Sequence, residues 1–501
     1  MRENCGGMMW RIVAVGGVSA SIAALWKCQK QDATYCSSMQ TGVEAIENSP
    51  YRASDATNLS TMPSPYLEAI AQSRKLICRS MIEQGIPGAV VCVTVDGNKV
   101  WSEGIGYADI ENDVTCSSQT VMRIASISKC LTAVAVMQLW EDGLLDLDAP
   151  VQSYVPLFPY KTFDGKEVKI TCRKLLCHTA GVRHYKKASD IESNKEEFHN
   201  DEYFIKEHYA SVSESLKLFS NDDLLYAPGT KFYYTTHGWT LLSAVIEGVS
   251  GMPFLDYLQK FILSPLHMDG TGPEKNNPLL YNRARYYNRN SSGMLENTPY
   301  VDLSYKWAGG GLYSRASDLC KLGGALLLSY QSRADTIVPS IRTHLAKKET
   351  HVSVGAVIQG EKPFFLKPET VKFMWSQIVH DADFSTDPQL GYGLGWVVQR
   401  EGALVKGGTV RPFCVGHTGA AVGASSVLVI LPSQHLQHNN SQLAMDEHFV
   451  CSEGAVSVSD GLCNRQSSSP HGVVVAVLFN LQGVRGTYSL GSQIAMLFDK
   501  R

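Results

Sequence analysis

Ser126 and Lys129 have the types and the spacing of a nucleophile and its activating base. They lie in the stretch Ser126-Ile127-Ser128-Lys129, where a strand-like segment, 121–125, changes into an apolar helical pattern. Residues three apart share one face of a helix, so the Lys129 amine can reach the Ser126 hydroxyl. A free hydroxyl is a weak nucleophile until an adjacent base removes its proton. The spacing therefore indicates acyl transfer at Ser126, with the N-terminus of the helix stabilising the oxyanion.

Ser-x-x-Lys is a short pattern that occurs by chance in chains of this size, and a serine at the start of a helix is often only an N-cap. The pair thus needs support from other parts of the chain.

Tyr234 is the second candidate, in the segment Tyr234-Thr235-Thr236 that follows the turn Pro228-Gly229. We expect it to hydrogen-bond Lys129 and share proton transfer, and we expect the cationic amine to lower the pKa of its phenol. The alternative is that the aromatic run 232–234 only packs an interface between lobes.

The third candidate is His417-Thr418-Gly419-Ala420, directly before the apolar segment 422–431, which we interpret as a strand. Gly419 would leave room for a substrate backbone, and Thr418 offers a hydroxyl. The Ala420 N–H would complete an oxyanion hole with that of Ser126, and His417 would donate to a substrate carboxylate. The alternative is an ordinary strand start after the glycine-rich turn 406–408.

The elements that must hold these residues form an α+β fold. Both chain ends contribute strands to one antiparallel sheet flanked by helices, and a helical lobe is inserted between them. The domain is expected over 63–501, with its sheet lobe at about 63–125 and 391–501 and its helical lobe at about 126–390.

Apolar periodicity and turn residues predict the individual elements. The predicted helices are Leu67–Gln84, Leu131–Asp142, Ile170–Cys177, Thr240–Ser250, Leu319–Leu328 and Leu490–Phe498. The predicted strands are Ala89–Val95, Lys99–Tyr107, Gly391–Gln399, Val422–Leu431 and Val473–Asn480, the first two joined by a hairpin turn at Asp96-Gly97. Polar stretches at about 185–223, 331–362 and 433–469 are interpreted as loops or insertions.

The charge balance argues against a nucleic-acid or anionic-membrane partner for the body of the chain. In 501 residues, 45 Lys and Arg nearly balance 48 Asp and Glu, so there is no strong net field. The 13 cysteines include no CxxC pair, so they are interpreted mainly as buried thiols, and no metal site is expected.

Residues 1–62 are interpreted as a targeting segment followed by a disordered tether. Arg2 and Arg11 precede the apolar run Ile12–Trp26, which is short for a spanning helix. A secretory signal, a mitochondrial presequence with a sorting segment and a marginal membrane anchor all remain open.

The three motifs, in this order, resemble those of the serine β-lactamases and penicillin-binding proteins, which carry Ser-x-x-Lys, Tyr-x-Asn and Lys/His-Thr-Gly. The class C and D-alanyl-D-alanine carboxypeptidase branch is most similar. Leu176-Cys177-His178-Thr179-Ala180-Gly181 resembles its LLxHTSG motif, and Trp307-Ala308-Gly309-Gly310-Gly311-Leu312 resembles its AGGL segment. The resemblance extends from about Leu67 to Phe498 and implies a β-lactamase/transpeptidase-like fold.

Longer segments are similar to the mitochondrial β-lactamase-like branch of animals, among them 281–285, 297–302, 304–311 and 417–427. That resemblance implies a peptidase-like hydrolase of the intermembrane space, linked to lipid metabolism, able to assemble into filaments, and without a metal or organic cofactor. Secretion or anchoring through residues 12–26 is the alternative localisation, and membrane contact would come through the N-terminal segment or a filament surface.

Thr236 departs from the family pattern, because it stands where Tyr-x-Asn has its carboxamide. One hydroxyl replaces two donors and an acceptor, so a contact to the substrate amide or to Lys129 is expected to be lost. We therefore expect a peptide or protein substrate and little β-lactam turnover. An esterase of the same fold and a filament-forming scaffold with an inactive site are the alternatives.

Overall fold

The computed structural model describes residues 65–185, 202–332, 365–379, 387, 389–402, 411–433 and 469–499. The predicted targeting segment and tether, 1–62, lie outside these ranges. Residues 186–201 of the first predicted insertion and nearly all of the other two also lie outside them.

Helices and strands in the described part are mixed in the manner of an α+β protein, as predicted. The helices are α1 Leu67–Gln84, α2 Ser128–Glu141, α3 Cys172–Leu176, α4 Val212–Leu216, α5 His237–Ser250, α6 Phe254–Leu258, α7 Trp307–Gly310, α8 Ala316–Gln331, α9 Pro368–Met374 and α10 Thr487–Phe498. The strands are β1 Gly88–Val95, β2 Asn98–Asp109, β3 Val114–Thr115, β4 Met122–Arg123, β5 Lys161–Phe163, β6 Lys166–Val168, β7 Gly272–Pro273, β8 Tyr287–Arg289, β9 Leu295–Asn297, β10 Leu312–Ser314, β11 Leu390–Tyr392, β12 Val397–Gln399, β13 Cys414–Ala421, β14 Ala424–Pro432 and β15 Gly472–Phe479.

One sheet of eight strands joins the two ends of the chain, in the order β11-β12-β13-β14-β15-β1-β2-β3. β1 and β15 pair antiparallel from Ala89↔Phe479 to Val95↔Val473. Asp96 and Gly97 both have positive φ, as the tight turn between β1 and β2 requires. The prediction that both ends share one antiparallel sheet is confirmed.

Helices cover both faces of this sheet, which explains why its central strands are apolar along their whole length. Gly323 lets α8 lie against Val474 on one face, because a Cβ there would overlap the valine. On the other face, α10 packs with α1 and lies against Val427 and Val429 of β14. Every residue of β14 and β15 is buried.

The inserted helical lobe is organised around α2, which is buried on all sides from Ser128 to Leu139. α5 and α7 pack directly on it. A helix that is apolar all round is stable only in a core, so the helix carrying Lys129 lies in the dry centre of the lobe.

Two predicted elements were wrong. The segment Gly391–Gln399 forms two strands, β11 and β12, instead of one. Gly393 donates to the Trp396 carbonyl at 2.8 Å, and Gly395 has a φ of +83°, so glycine forms a tight turn in the middle of the segment.

The predicted insertion 185–223 also contains ordered structure, including α4. Ser211 caps this helix by accepting from the Glu214 N–H at 3.1 Å, and Glu214 accepts from the Ala210 N–H at 2.8 Å. A Ser-x-x-Glu capping signal at 211–214 was thus present in the sequence and was overlooked.

The eight cysteines in the described part are buried free thiols, as predicted: Cys78, Cys92, Cys116, Cys130, Cys172, Cys177, Cys320 and Cys414. The other five cysteines lie outside the described ranges.

No single helix of the described part is long and apolar enough to cross a bilayer. The segments His237–Ser250 and Phe254–Leu263 reach that length and composition only together, with a bend of 76° between them.

Candidate active site

Ser126 lies in a 3₁₀ turn, Ala125–Ile127, that leads into α2. Ala125 has a φ of +49°, a backbone conformation that is uncommon outside glycine and that clusters at functional sites. The helix begins at Ser128, three residues before its predicted start at Leu131, and Ser126 lies on a tight turn directly ahead of it.

Ser126 and Lys129 form the expected pair. The Lys129 Nζ and Ser126 Oγ are joined by a hydrogen bond of 3.1 Å. Lys129 is fully buried, whereas Ser126 is 7 % exposed. Burial holds the pKa of Lys129 well below its ordinary value of 10.5, and the positive charge of Lys306 lowers it further. A neutral Lys129 amine can accept the Ser126 proton.

The Gly309 carbonyl is a second partner of Lys129, at 2.5 Å from Nζ. It comes from α7, whose Ala308 carbonyl also accepts from the Thr132 hydroxyl of α2 at 2.9 Å. A Cβ on Gly309 would lie 2.5 Å from the Thr236 Cγ2, so glycine is required there. This contact orients the amine, and the sequence motif at 307–312 did not reveal it.

Tyr234 lies against Lys129 through its ring, whose centroid is 4.8 Å from Nζ. Its hydroxyl is buried and has no hydrogen-bond partner among the described residues. Burial raises the pKa of Tyr234 above its ordinary value of 10.0, a shift that the nearby Ser126 hydroxyl only partly offsets. The predicted lowering of this pKa was wrong because burial is the dominant cause and acts in the opposite direction. The predicted hydrogen bond to Lys129 was also wrong, because the amine lies against the ring and not at the hydroxyl.

His178 holds the Tyr234 ring in place. The two rings stack with centroids 4.3 Å apart and an interplanar angle of 28°. The Thr235 N–H donates to His178 Nδ1 at 3.1 Å, so the proton of the neutral imidazole is on Nε2. Burial lowers the pKa of His178 well below 6.5, which keeps the ring neutral.

A hydrogen-bond chain continues from His178 to His417 through Tyr392. The Tyr392 hydroxyl lies 3.3 Å from His178 Nε2 and 2.9 Å from His417 Nε2. Because His178 Nε2–H donates to Tyr392, Tyr392 donates to His417, and the His417 proton is on Nδ1. That Nδ1 lies 2.6 Å from the Thr418 carbonyl. The Trp239 Nε1–H faces the same His178 Nε2 at 3.4 Å, but this protonated nitrogen cannot accept from it.

His417 therefore differs from its predicted role. Burial lowers the pKa of His417 to about 3. Both ring nitrogens have partners inside the protein, so a contact with a substrate carboxylate would require one of these bonds to break. The residue orients the strand next to Ser126 as a neutral side chain.

Thr418, Gly419 and Ala420 lie within β13, a strand that was not predicted. The predicted strand after them, 422–431, corresponds to β14. Thr418 and Ala420 are partly exposed, while Gly419 between them is buried. A Cβ on Gly419 would overlap the Ile124 carbonyl and the Ser426 hydroxyl. The predicted room for a substrate backbone at Gly419 is thus occupied by the turn before Ser126, against which β13 packs.

Ser426 of β14 links the turn before Ser126 to the sheet by a hydrogen bond. Its hydroxyl donates to the Ile124 carbonyl at 2.8 Å, and the same carbonyl accepts from the Ile127 N–H at 3.1 Å. These two bonds fix the position of the Ser126 turn relative to β13 and β14.

Thr236 is the N-cap residue of α5, and it is buried. Its backbone N–H donates to His184 Nδ1 at 3.2 Å. Its hydroxyl hydrogen-bonds Tyr185 and so lowers the pKa of that phenol, although burial raises it more. The sequence placed Thr236 at the site correctly but did not identify its two aromatic neighbours.

No group of three or more His, Cys, Asp or Glu side chains in the part of the chain that the structure describes is arranged to hold a metal ion. The arrangement around Ser126 fits acyl transfer by a buried amine and a phenol.

The chain is similar to known proteins in sequence. The sequence matches the family described as Beta-lactamase over residues 73–490. It is 39 % identical to the human serine beta-lactamase-like protein LACTB, mitochondrial, over 87 % of this chain and 80 % of that protein.

Two solved structures are similar in fold. The octameric penicillin-binding protein homologue from Pyrococcus abyssi superimposes with a TM-score of 0.58 at 22 % identity, covering 86 % of this chain and 78 % of that one. EstCE1, a hydrolase with promiscuous acyltransferase activity, gives a TM-score of 0.58 at 18 % identity, covering 86 % of this chain and 99 % of that one.

Proposed function

Because the chain belongs to the β-lactamase family, we propose that it is a serine hydrolase that cleaves peptide bonds through an acyl-enzyme on Ser126. The observation that carries this proposal is the 3.1 Å contact between the Ser126 hydroxyl and the Lys129 amine. Burial lowers the pKa of that amine well below 10.5, which makes it a base.

In the acylation step, the Ser126 hydroxyl gives its proton to Lys129 as Oγ forms a bond to the substrate carbonyl carbon. The backbone N–H groups of Ser126 and Ala420 hold the oxyanion. When the C–N bond breaks, the proton that Lys129 took from Ser126 passes to the leaving nitrogen, and Tyr234, whose ring lies against that amine, helps to place it. Burial raises the pKa of Tyr234, so the phenol stays protonated and can donate a hydrogen bond in the site without losing its proton.

Deacylation runs through the same groups. Water loses a proton to the neutral Lys129 amine and attacks the acyl carbonyl, and Ser126 Oγ leaves and is protonated again. Thr418, at the partly exposed edge of β13, orients the substrate beside Ser126.

A peptide is a better substrate candidate than a β-lactam because the third residue of Tyr234-Thr235-Thr236 is not asparagine. The hydroxyl of Thr236 is used by Tyr185, which leaves the carboxamide contacts of the family pattern unfilled. An esterase is the second candidate, because an acyl-enzyme on Ser126 can form from an ester as well as from an amide.

The relative named mitochondrial supports a mitochondrial location for this chain. We extend the proposal to the intermembrane space, to a role in lipid metabolism and to self-assembly into filaments, with membrane contact through the N-terminal segment or the filament surface. Import assays that compare the full chain with a chain lacking residues 1–62 test the location, and electron microscopy of the purified protein tests assembly.

A turnover assay separates the candidate activities. Purified protein is given an acylated peptide p-nitroanilide, p-nitrophenyl butyrate and a chromogenic cephalosporin, and Ser126→Ala is run in parallel. We expect Ser126-dependent cleavage of the anilide and little cleavage of the cephalosporin. Cleavage of the ester alone would favour the esterase, and no Ser126-dependent cleavage of any probe would favour a scaffold.

Ser128→Ala is the matched control for this assay. Ser128 is buried two residues from the nucleophile, and its hydroxyl accepts from the Leu312 N–H at 3.3 Å. Its loss should affect stability more than the chemistry at Ser126.

A further inference from the structure

His184 lies beside the proposed catalytic residues, and its protonation can be assigned from one contact. The Thr236 N–H donates to His184 Nδ1 at 3.2 Å. A nitrogen that accepts a hydrogen bond carries no proton, so in the neutral ring Nε2 carries the N–H. The side chain is therefore a donor with a known donor atom.

The ring is held between aromatic neighbours. It stacks on Tyr185 with centroids 4.1 Å apart and an interplanar angle of 30°. It meets Tyr234 in a T-shaped contact, with centroids 6.2 Å apart. Burial lowers the pKa of His184 well below 6.5, and the positive charge of Lys306 lowers it further. The imidazole stays neutral and has a single N–H to give.

That N–H is buried and has no hydrogen-bond partner among the described residues. The Tyr234 hydroxyl, on the ring that contacts His184, is also buried and also has no hydrogen-bond partner among the described residues. Native proteins rarely leave buried donors unpaired, because the group loses its water and gains nothing in return. The residue as a whole is partly exposed and its ring contacts the Tyr234 ring, so His184 lies at the border of the site.

His184 also explains the departure at Thr236. The family pattern has an asparagine carboxamide at this position, and Thr236 cannot replace its donors because its hydroxyl bonds Tyr185. The backbone of Thr236 instead positions the His184 ring, which supplies an N–H donor from the neighbouring segment.

We propose that His184 Nε2–H donates to a backbone carbonyl of the substrate on the acyl side of the scissile bond, in place of the missing carboxamide. This inference rests on the proposed function. It makes His184 a determinant of specificity for substrates that carry an amide next to the reacting carbonyl.

Two boronic acids test the inference. Acetamidomethylboronic acid carries an amide next to boron, and butylboronic acid has similar length and none. Both are expected to form a tetrahedral adduct with Ser126, and their affinities are measured by competition with fluorophosphonate labelling. In the wild type the amide probe should bind more tightly. In His184→Phe we expect the ratio of the two affinities to fall by roughly tenfold, which corresponds to about 1.4 kcal/mol.

A donor at the same place should restore the preference. His184→Gln keeps an N–H and should recover part of the ratio, which a purely structural role for the ring would not predict. His208→Phe makes the same change on a side chain that is 63 % exposed and should leave the ratio unchanged.

An equal loss of affinity for both probes in His184→Phe, or an unchanged ratio, would overturn the inference while the Ser126 hydrolase stands. A wild-type protein in which neither probe protects Ser126 from the fluorophosphonate would overturn both proposals.

Discussion

The hydroxyl of Ser426 donates to the carbonyl of Ile124 at 2.8 Å, two residues before the nucleophile. This bond joins the central sheet, which both chain ends build, to the turn that begins the helical lobe. The position of Ser126 relative to β13 therefore depends on a serine 300 residues later in the chain.

Ser426→Ala should reduce the rate of acylation at Ser126. Loss of one buried hydrogen bond costs about 1 kcal/mol of stability, and a shift of the turn would lower kcat/KM by roughly threefold to tenfold. The rate of labelling by a fluorophosphonate measures the effect on Ser126, and a denaturant unfolding curve measures the loss of stability. Ser425→Ala is the control, because its hydroxyl bonds Leu481 and Val484 instead. Equal labelling rates for the two variants would contradict the expectation.

Gly309→Ala should impair activity through Lys129. The added Cβ would lie 2.5 Å from the Thr236 Cγ2, so the Gly309 carbonyl that holds the amine must shift. Thr236→Ser removes that methyl group, and the double variant should recover part of the lost kcat/KM. Double-mutant analysis of the two changes measures this coupling. Additive effects would show that the contact does not control the amine.

Lys129→Met should stabilise the protein, and more so at low pH. The folded-state pKa of Lys129 lies well below the 10.5 of the unfolded chain. Between these values the unfolded state binds more protons, so wild-type stability rises with pH, at about 1.4 kcal/mol for each unit of pKa depression. The advantage of the methionine is therefore largest below the folded pKa and disappears as the pH approaches 10.5. Denaturant unfolding over that pH range measures it, and a pH-independent difference would be inconsistent with a neutral Lys129.

Tyr392→Phe should weaken the preference of the His417 proton for Nδ1 over Nε2. The wild type is expected to carry the His417 proton on Nδ1, because Tyr392 donates to Nε2 at 2.9 Å. Without that hydroxyl Nε2 loses its donor, and about 1–3 kcal/mol of stability should be lost. Nitrogen-15 NMR of the histidine side chains reports the tautomer directly. Tyr257→Phe, a buried hydroxyl next to Gln138, is the control. A wild-type ring protonated on Nε2 would refute the proposed chain of bonds.

Local patterns in the sequence were sufficient to predict much of the fold and the Ser126–Lys129 pair. The three-residue spacing of Ser126 and Lys129 is a property of one helix, and Asp96-Gly97 is a property of one turn. The apolar runs of β1 and β15 also indicated that the chain ends share a sheet. The spacing and the turn were predictable because they depend on neighbours in the chain, and the strands were predictable because each apolar run is itself local.

Contacts between distant segments were not predictable in the same way. Gly309 reaches Lys129 across 180 residues, and Tyr392 joins His178 to His417 although it lies in a segment interpreted as one plain strand. The direction of the Tyr234 pKa shift depends on burial, which only the packed lobe establishes. The glycines at 391, 393 and 395 were a signal for the turn between β11 and β12.

Intact-mass analysis of the purified chain treated with a fluorophosphonate tests the central claim most directly. We predict one covalent adduct on the wild type, mapped to Ser126 by peptide sequencing, with none on Ser126→Ala and much slower formation on Lys129→Met. An adduct that persists in Ser126→Ala, or no adduct on a folded wild-type protein, would contradict a serine nucleophile activated by Lys129.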